Sequence, residues 1–193
     1  MHPKPGARAL GIAASDGSDR SQLGGAVVRV NRVVDDLVFS QCTTGRTDAT
    51  AACCRLWDRL GRADVQWLML AGVAPAWFNI IDLPALADHT DRPAIAVSFE
   101  ASEGLGEPLR NHFEGDALDR RLAIYERLPD RQPVDLAGQT VYVRAAGIAD
   151  SDAAALVEAV TPESHSRPEP LRVARLAARA GRQQYLDAEN SDN

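Results

Sequence analysis

Three aspartates occupy positions between predicted elements, and carboxylate oxygens are the ligands that Mg²⁺ prefers in proteins. Asp16 lies in a polar turn, Asp48 opens a predicted helix, and Asp82 precedes another. Such carboxylates can hold a metal ion that clamps the attacking and leaving oxygens of a phosphate. Aspartate is also typical of turns and helix N-caps, so each residue has a structural alternative. Asp48, Asp16 and Asp82 are therefore candidate catalytic residues, and Asp48 and Asp16 are candidate Mg²⁺ ligands.

A bulky tip at residues 77–79 follows the most apolar stretch of the chain. The rings of Trp77 and Phe78 could stack on a nucleic-acid base, because aromatic faces accept any base. Asn79 could read a base edge through its amide. The alternatives are that the rings pack over the end of a sheet, that Asn79 orders its loop, and that Asp82 is simply an N-cap.

The last predicted helix carries four arginines at intervals of three, four and three residues, which place them on one helical face. This arginine row consists of Arg172, Arg175, Arg179 and Arg182. Residues 167–182 contain five arginines and one glutamate, a local charge of +4 in a chain of −6. The row either neutralises phosphates or is a solvated face paired with surface carboxylates. The face predicted to pack on the sheet comprises Val173, Leu176, Ala177 and Ala180.

The elements that must position these groups follow from hydrophobic patterning and turn residues. Strands are predicted at residues 8–13, 23–31, 33–42, 65–71, 93–99 and 139–146, the last at a sheet edge. Helices are predicted at residues 48–60, 83–89, 104–113, 116–128, 152–160 and 169–185, with Gly61 ending the first. We predict one domain over residues 1–186 and an acidic, disordered tail over residues 187–193.

An antiparallel meander followed by βα units predicts an α/β protein with a mixed sheet and helices on both faces. This is the element order of the RNase H-like fold. Nucleases on that fold usually hold Mg²⁺ with an Asp on the first strand, an acidic residue on the next helix and an Asp ending the fourth strand. Here Ala13, Ala14 and Ala71 stand at the strand ends. Alanine cannot bind a metal, so the sequence predicts a degenerate metal site.

The charge composition does not exclude a nucleic-acid partner. Acidic residues outnumber basic ones 27 to 21, and Lys4 is the only lysine. Either adaptation to high salt or a GC-rich genome explains this bias, and we favour salt adaptation. In a halophilic protein an acidic average is uninformative about nucleic acid, and a local basic surface becomes the relevant signal.

Several other classes of protein are disfavoured. The three cysteines form no CxxC motif, which favours reduced thiols and a cytoplasmic location. The chain has no apolar run of membrane-spanning length and no signal-peptide pattern, so we expect no membrane association. A P-loop, a GxGxxG fingerprint, a GxSxG elbow and a zinc knuckle are all missing from the sequence, which argues against NTPases, Rossmann dehydrogenases and α/β-hydrolases.

Five segments together resemble a known family: ALGIA, GRTDAT, LAGVAPAWFNIIDL, TDRPAIAVSFE and RPEPLRVARLAA. The chain is similar, over residues 6–180, to the largely archaeal family of unknown function that is related to endonuclease V and called endonuclease dU. The resemblance implies an endonuclease V-like fold and Mg²⁺-dependent endodeoxyribonuclease activity near deoxyuridine, as in DNA repair. Asp48, Asn79, Asp82, Glu169 and Arg172 match the family's segments, whereas many members have Asp where this chain has Ala13, Ala14 and Ala71.

Residues and resemblance together predict a protein that acts on or binds nucleic acid, DNA rather than RNA, including deaminated, uracil-containing DNA. The degenerate metal site predicts weak or absent Mg²⁺-dependent cleavage. The alternative is a non-catalytic nucleic-acid-binding or interaction module on the same fold.

Overall fold

The computed structural model describes residues 3–136, 138–163 and 166–191, with side chains described up to residue 184. The strands are β1 (Arg8–Ser15), β2 (Arg20–Arg29), β3 (Val34–Thr43), β4 (Val65–Ala71), β5 (Ala94–Ser98), β6 (Gln132–Leu136) and β7 (Gln139–Ala146). The helices are α1 (Ala49–Leu60), α2 (Pro75–Phe78), α3 (Leu83–Thr90), α4 (Gly106–His112), α5 (Gly115–Tyr125), α6 (Asp150–Ala159) and α7 (Glu169–Ser191). Every described helix is too short or too polar to cross a membrane.

The strands form one mixed sheet in the order β3-β2-β1-β4-β5-β7-β6. Strands β1 to β3 make the antiparallel meander, and β4 and β5 then add parallel to β1. Strand β7 pairs antiparallel with β5, and β6 pairs with β7. The predicted α/β architecture is therefore confirmed. Strand β4 has the predicted bounds, and its apolar run from Trp67 to Ala71 suits a strand buried on both faces.

The far edge of the sheet differs from the sequence-based expectation. Strand β7 was expected at the edge but lies inside, because β6 pairs with its outer side. Pro133 lies within β6, and a proline is tolerated there because an edge strand leaves one side of its backbone unpaired. Helix α7 runs to Ser191 and so includes part of the expected disordered tail, whereas residues 192 and 193 lie outside the described residues.

Helices cover both faces of the sheet. On one face α1, α3 and α4 contribute Leu56, Leu86 and Leu109 to a core that includes Leu10 and Leu68 of the sheet. On the other face α6 and α7 pack on side chains that include those of β5 and β7. The layers hold the carboxyl ends of β1, β4 and β5 at one end of the sheet.

Two glycines let α7 lie directly on the strands. A Cβ on Gly11 would fall 2.1 Å from the backbone oxygen of Pro170, and one on Gly24 would fall 2.4 Å from the backbone nitrogen of Ala178. Only a residue without a side chain permits such an approach. The surface of α7 that faces the sheet is consequently built from Leu171, Ala174, Ala177 and Ala178. The expected packing of Leu176 and Ala180 was wrong, since both are exposed, Leu176 by 53%.

Candidate nucleic-acid interface

A crevice of about 550 Å³ opens at the carboxyl ends of β4 and β5. Ala71 and Ser98 end these strands and line it, together with Asp16 from the β1–β2 turn. Arginines from other elements complete its wall: Arg131, Arg144, Arg167 and Arg175. Open α/β sheets place their ligand sites at this end of the strands, so the crevice is the candidate functional site.

Asp16 joins the β1–β2 turn to the loop after β4. Its Oδ1 accepts a hydrogen bond of 3.2 Å from the backbone N–H of Ala76. The side chain lines the crevice, so it keeps access to a ligand there. Asp16 is therefore a structural residue of the β1–β2 turn and also belongs to the candidate site.

Asp48 is held by its own loop. Its carboxylate accepts bonds from the backbone N–H of Thr43 (3.1 Å), the hydroxyl of Thr43 (2.9 Å) and Nδ2 of Asn79 (2.7 Å). Partial burial raises the pKa of Asp48, but the bonds from Asn79 and Thr43 outweigh this effect, and the net pKa lies below its ordinary value. Of the two predicted caps, Thr47 and Asp48, Asp48 occupies the N-cap position of α1, but its side chain makes no cap hydrogen bond.

Asn79 caps α1 instead, across thirty residues of sequence. Its Oδ1 accepts from the backbone N–H of Ala49 at 2.8 Å, and its Nδ2 donates to the carbonyl of Thr43 at 2.9 Å and to Asp48. The side chain is fully buried. Both amide groups are therefore used inside the protein, so the structure gives Asn79 the loop-ordering role and not the base-reading position proposed for it.

Asp82 is the N-cap of α3, as the sequence predicted. Its Oδ1 accepts from the backbone N–H of Ala85 at 3.2 Å, and its Oδ2 pairs with Arg127 at 2.5 Å. The side chain is buried and does not line the crevice. The candidate catalytic role of Asp82 is thus not supported by its placement.

The donor set at the crevice does not fit Mg²⁺. Ala71 ends β4, and Ala13 and Ala14 near the end of β1 likewise offer no metal ligand. Asp48 does not line the crevice, and its carboxylate already accepts three hydrogen bonds. Within residues 3–136, 138–163 and 166–191, no group of three or more His, Cys, Asp or Glu side chains could hold a metal ion. We therefore derive no metal-dependent step for this site.

The tip at residues 77–79 has unusual backbone geometry. Ala76, Trp77 and Phe78 have φ angles of 51°, 57° and 55°, in the left-handed region that non-glycine residues rarely adopt. Trp77 is 54% exposed and meets Phe78 and His112 edge-on at 5.3 and 5.1 Å. The Trp77 ring thus projects from the tip, while Phe78 packs against Phe113 at 5.9 Å. Phe78 therefore follows the packing alternative, and stacking on a base stays a prediction for the exposed ring of Trp77.

Arg121 holds this strained turn in place, a role that no sequence pattern indicated. Its guanidinium donates to the carbonyls of Phe78 (3.2 Å) and Gly45 (2.5 Å) and lies 3.8 Å from the centre of the Phe113 ring. The residue is only 3% exposed. Burial, followed by the nearby charge of Arg120, lowers the pKa of Arg121. Several neutral carbonyls thus compensate the burial of a cation.

The arginine row divides into two parts. Arg172 makes a bidentate ion pair with Glu169, at 2.8 and 2.6 Å. It therefore follows the alternative in which the row pairs with surface carboxylates. Arg175 and Arg179 are exposed, and Arg175 lines the crevice. Arg182 lies beside the β1–β2 turn, where a Cβ on Gly17 would be 3.4 Å from its Nε. The last three residues run from the crevice to this turn as one cationic surface.

Three further arginines of the crevice were missed from the sequence: Arg131, Arg144 and Arg167. Arg144 was detectable, because β7 alternates and places Tyr142 and Arg144 opposite the core residues Val141 and Val143. Arg131 directly precedes β6, the strand that the sequence did not reveal. Arg167 was counted in the basic segment at residues 167–182 but was not singled out as a site residue.

The fold defines the structural class of the protein. It aligns with Ciona intestinalis endonuclease V, solved in complex with a 24mer DNA containing an inosine followed by a ribo-adenosine. The TM-score is 0.63 and the identity 12%, over 95% of this chain and 92% of that one. This is an endonuclease V-like, RNase H-like α/β fold.

Sequence comparison identifies the family. The endonuclease dU family model matches residues 5–181, and the chain belongs to that family. A UPF0215 protein of Pyrobaculum aerophilum is 34% identical over 159 residues, which cover 82% of this chain and 84% of that protein. A solved protein of unknown function from Archaeoglobus fulgidus has a TM-score of 0.78 and 24% identity, over 90% of this chain and 96% of that one. The predicted family is confirmed.

Proposed function

We propose that this protein binds DNA across the crevice, with Arg175, Arg179 and Arg182 against the phosphates. The observation that carries the proposal is the cationic surface that these residues form beside the crevice, in a chain whose net charge is −6. Arginine suits phosphate because its planar fork donates two hydrogen bonds at once. Ciona endonuclease V was solved with a DNA that contains an inosine followed by a ribo-adenosine, which supports a nucleic-acid partner for the same fold.

The exposed ring of Trp77 supplies a second element of binding. A base that leaves its stack can lie on this ring, since stacking on an aromatic side chain contributes about 1–3 kcal/mol per base. A deaminated, uracil-containing base pair is weakened and costs less to open. Together with the family's name, this supports uracil-containing DNA as the ligand and DNA repair as the setting.

Cleavage is not part of what the site supports best. With alanine at positions 13, 14 and 71 and with Asp48 engaged by Thr43 and Asn79, we infer that Mg²⁺-dependent nicking is weak or absent. A nuclease assay on uracil- and inosine-containing oligonucleotides, across metals and salt concentrations, tests this inference. Robust Mg²⁺-dependent nicking that is lost in Asp48→Ala would overturn it.

Binding is tested by reversing charge in the arginine row. In Arg175→Glu with Arg179→Glu, we expect weaker affinity for uracil-containing DNA with 5′-hydroxyl ends, measured by fluorescence anisotropy from low to high salt. Loss of two phosphate contacts should reduce the slope of log K against log salt by about 2.

The matched control reverses two cations at the opposite end of the sheet. Lys4→Glu with Arg32→Glu makes the same change in net charge at exposed positions before β1 and after β2. We expect it to retain most of the affinity and the wild-type salt slope. Equal affinity of the two double variants would refute the role of the arginine row.

A further inference from the structure

The lining of the crevice carries an excess of positive charge. Arg131, Arg144, Arg167 and Arg175 line it together with the acidic residues Asp16 and Glu100, for a formal net charge of +2. Among the described residues, none of the four arginines forms an ion pair with a carboxylate, although arginines elsewhere on the surface do. The excess of cations is therefore local to the crevice.

Arg131 is held in place by neutral groups. Its Nη1 donates to the carbonyl and hydroxyl of Ser102 at 2.8 and 3.0 Å, and its Nη2 donates to the carbonyl of Glu100 at 2.7 Å. The guanidinium lies 4.2 Å from the centre of the Tyr142 ring. Its Nε is the one buried side-chain nitrogen or oxygen in the described part of the chain that lacks a hydrogen-bond partner. A buried donor left unpaired costs free energy, so Arg131 is held at the crevice against that cost.

Arg144 and Arg167 lie on aromatic rings. Arg144 packs on Tyr125 with 5.5 Å to the ring centre and donates to the carbonyl of Pro129. Burial is the main cause of the lowered pKa of Arg144, and the charge of Arg131 adds to it. Arg167 lies 4.3 Å from the centre of the Phe99 ring. Stacking fixes these guanidinium planes and leaves their charge to a ligand.

We propose that the crevice binds a nucleoside monophosphate, with its phosphate held by Arg131, Arg144 and Arg167. A phosphomonoester carries close to two negative charges, which match the formal charge of the lining. The volume of about 550 Å³ lies within the range of small-molecule sites, about 300–1,000 Å³. Ala71, Val73 and Val97 supply an apolar surface for the nucleoside.

The nucleotide has two sources with the same chemistry: a free nucleotide, or the 5′-phosphorylated end of a DNA strand. The strand-end form rests on the proposed function, because the same strand would continue along the arginine row. Binding of a free nucleotide does not depend on the proposed function.

Calorimetric titration of the full chain with dAMP and deoxyadenosine tests the proposal. We expect saturable binding of dAMP and at least tenfold weaker binding of deoxyadenosine. Arg167→Gln should weaken dAMP binding about tenfold, and it removes an exposed side chain that makes no described hydrogen bond, so folding is retained. Arg131→Gln should weaken dAMP binding at least as much, with its folding checked by thermal unfolding. Arg32→Gln, at the opposite end of the sheet, is the control and should bind as the wild type does.

Equal binding of dAMP and deoxyadenosine, no binding of dAMP, or wild-type binding by Arg167→Gln would each overturn the proposal.

The source of the nucleotide is identified with otherwise identical 5′-phosphate and 5′-hydroxyl oligonucleotides. If the 5′-phosphorylated strand binds more tightly than the 5′-hydroxyl strand, and Arg167→Gln removes this difference, the ligand is the strand end. If the two strands bind equally and dAMP still binds, the ligand is the free nucleotide. If dAMP binds but DNA affinity is independent of the arginine row, the proposed function fails alone. If DNA depends on the row but dAMP does not bind, the crevice proposal fails alone.

Discussion

Replacing Asn79 with alanine should destabilise the protein strongly, although the residue is neither large nor apolar. The substitution removes the cap from the Ala49 N–H and a donor from both the Thr43 carbonyl and the Asp48 carboxylate. Loss of a cap costs about 1 kcal/mol, and each buried group left without its partner costs about 1–3 kcal/mol. Since Thr43 and Asp48 keep other partners, we expect a total of about 3 kcal/mol, or about 6–12 °C in Tm for a chain of this size.

Urea and thermal unfolding measure this loss, with Asn31→Ala as the matched control. Asn31 is exposed, and its side chain makes a single weak contact of 3.5 Å with the N–H of Val33. The control should therefore lose less than about 0.5 kcal/mol. A loss in Asn79→Ala no larger than in Asn31→Ala would refute the capping argument.

Asn79→Asp sharpens the same test through its pH dependence. It retains an oxygen for Ala49 but places a second carboxylate against Asp48, where Nδ2 now lies at 2.7 Å. Like charges raise the folded-state pKa of one partner above its unfolded value. The destabilisation is therefore present above that raised pKa and lost as the pH falls through it, so the deficit of Asn79→Asp should shrink on acidification. A deficit that does not change with pH would contradict this reasoning.

Two further predictions concern the sheet. Hydrogen bonds from Arg29 and Arg8 lower the pKa of Asp35 to about 2, so its stabilisation is present above about pH 4 and lost as the pH falls towards 2. Asp35→Asn should flatten the pH dependence of the urea midpoint between pH 2 and 5, and a slope equal to that of the wild type would contradict this. Gly24→Ala should cost about 1–3 kcal/mol of unfolding free energy, because its Cβ would meet the α7 backbone at 2.4 Å. Gly6→Ala, which meets nothing within 4 Å, is the control, and equal losses would show that α7 moves aside freely.

Local patterns were sufficient for most of the sheet. The apolar run of β4 and the alternation of β7 gave both strands their observed bounds. Gly61 was correctly predicted to end α1, and its φ of 60° is one that glycine adopts at little cost. By contrast, β6 was missed because its sequence, QPVDL, contains a proline and an aspartate that are rare in strands.

The candidate site was harder to predict, because its contacts join distant parts of the chain. Nothing in the sequence Ala-Trp-Phe indicates three left-handed residues, since that backbone depends on Arg121, which lies 43 residues after Phe78. Asn79 was predicted either to read a base or to order its loop, and its observed role as the cap of α1 depends on a contact across 30 residues. Arg175 was found because helical spacing is local, whereas Arg131 required a knowledge of which strands are neighbours.

The glycines beneath α7 determine how the arginine row can vary. At Gly11 and Gly24 the helix meets the strands backbone against backbone, so its distance from the sheet does not depend on the size of any core side chain there. Substitutions on the outer face of α7 can therefore change charge and ligand preference without shifting the height of the row above the crevice. In α7, the arginines proposed to bind the ligand and the glycine contacts that position the helix can therefore be mutated independently.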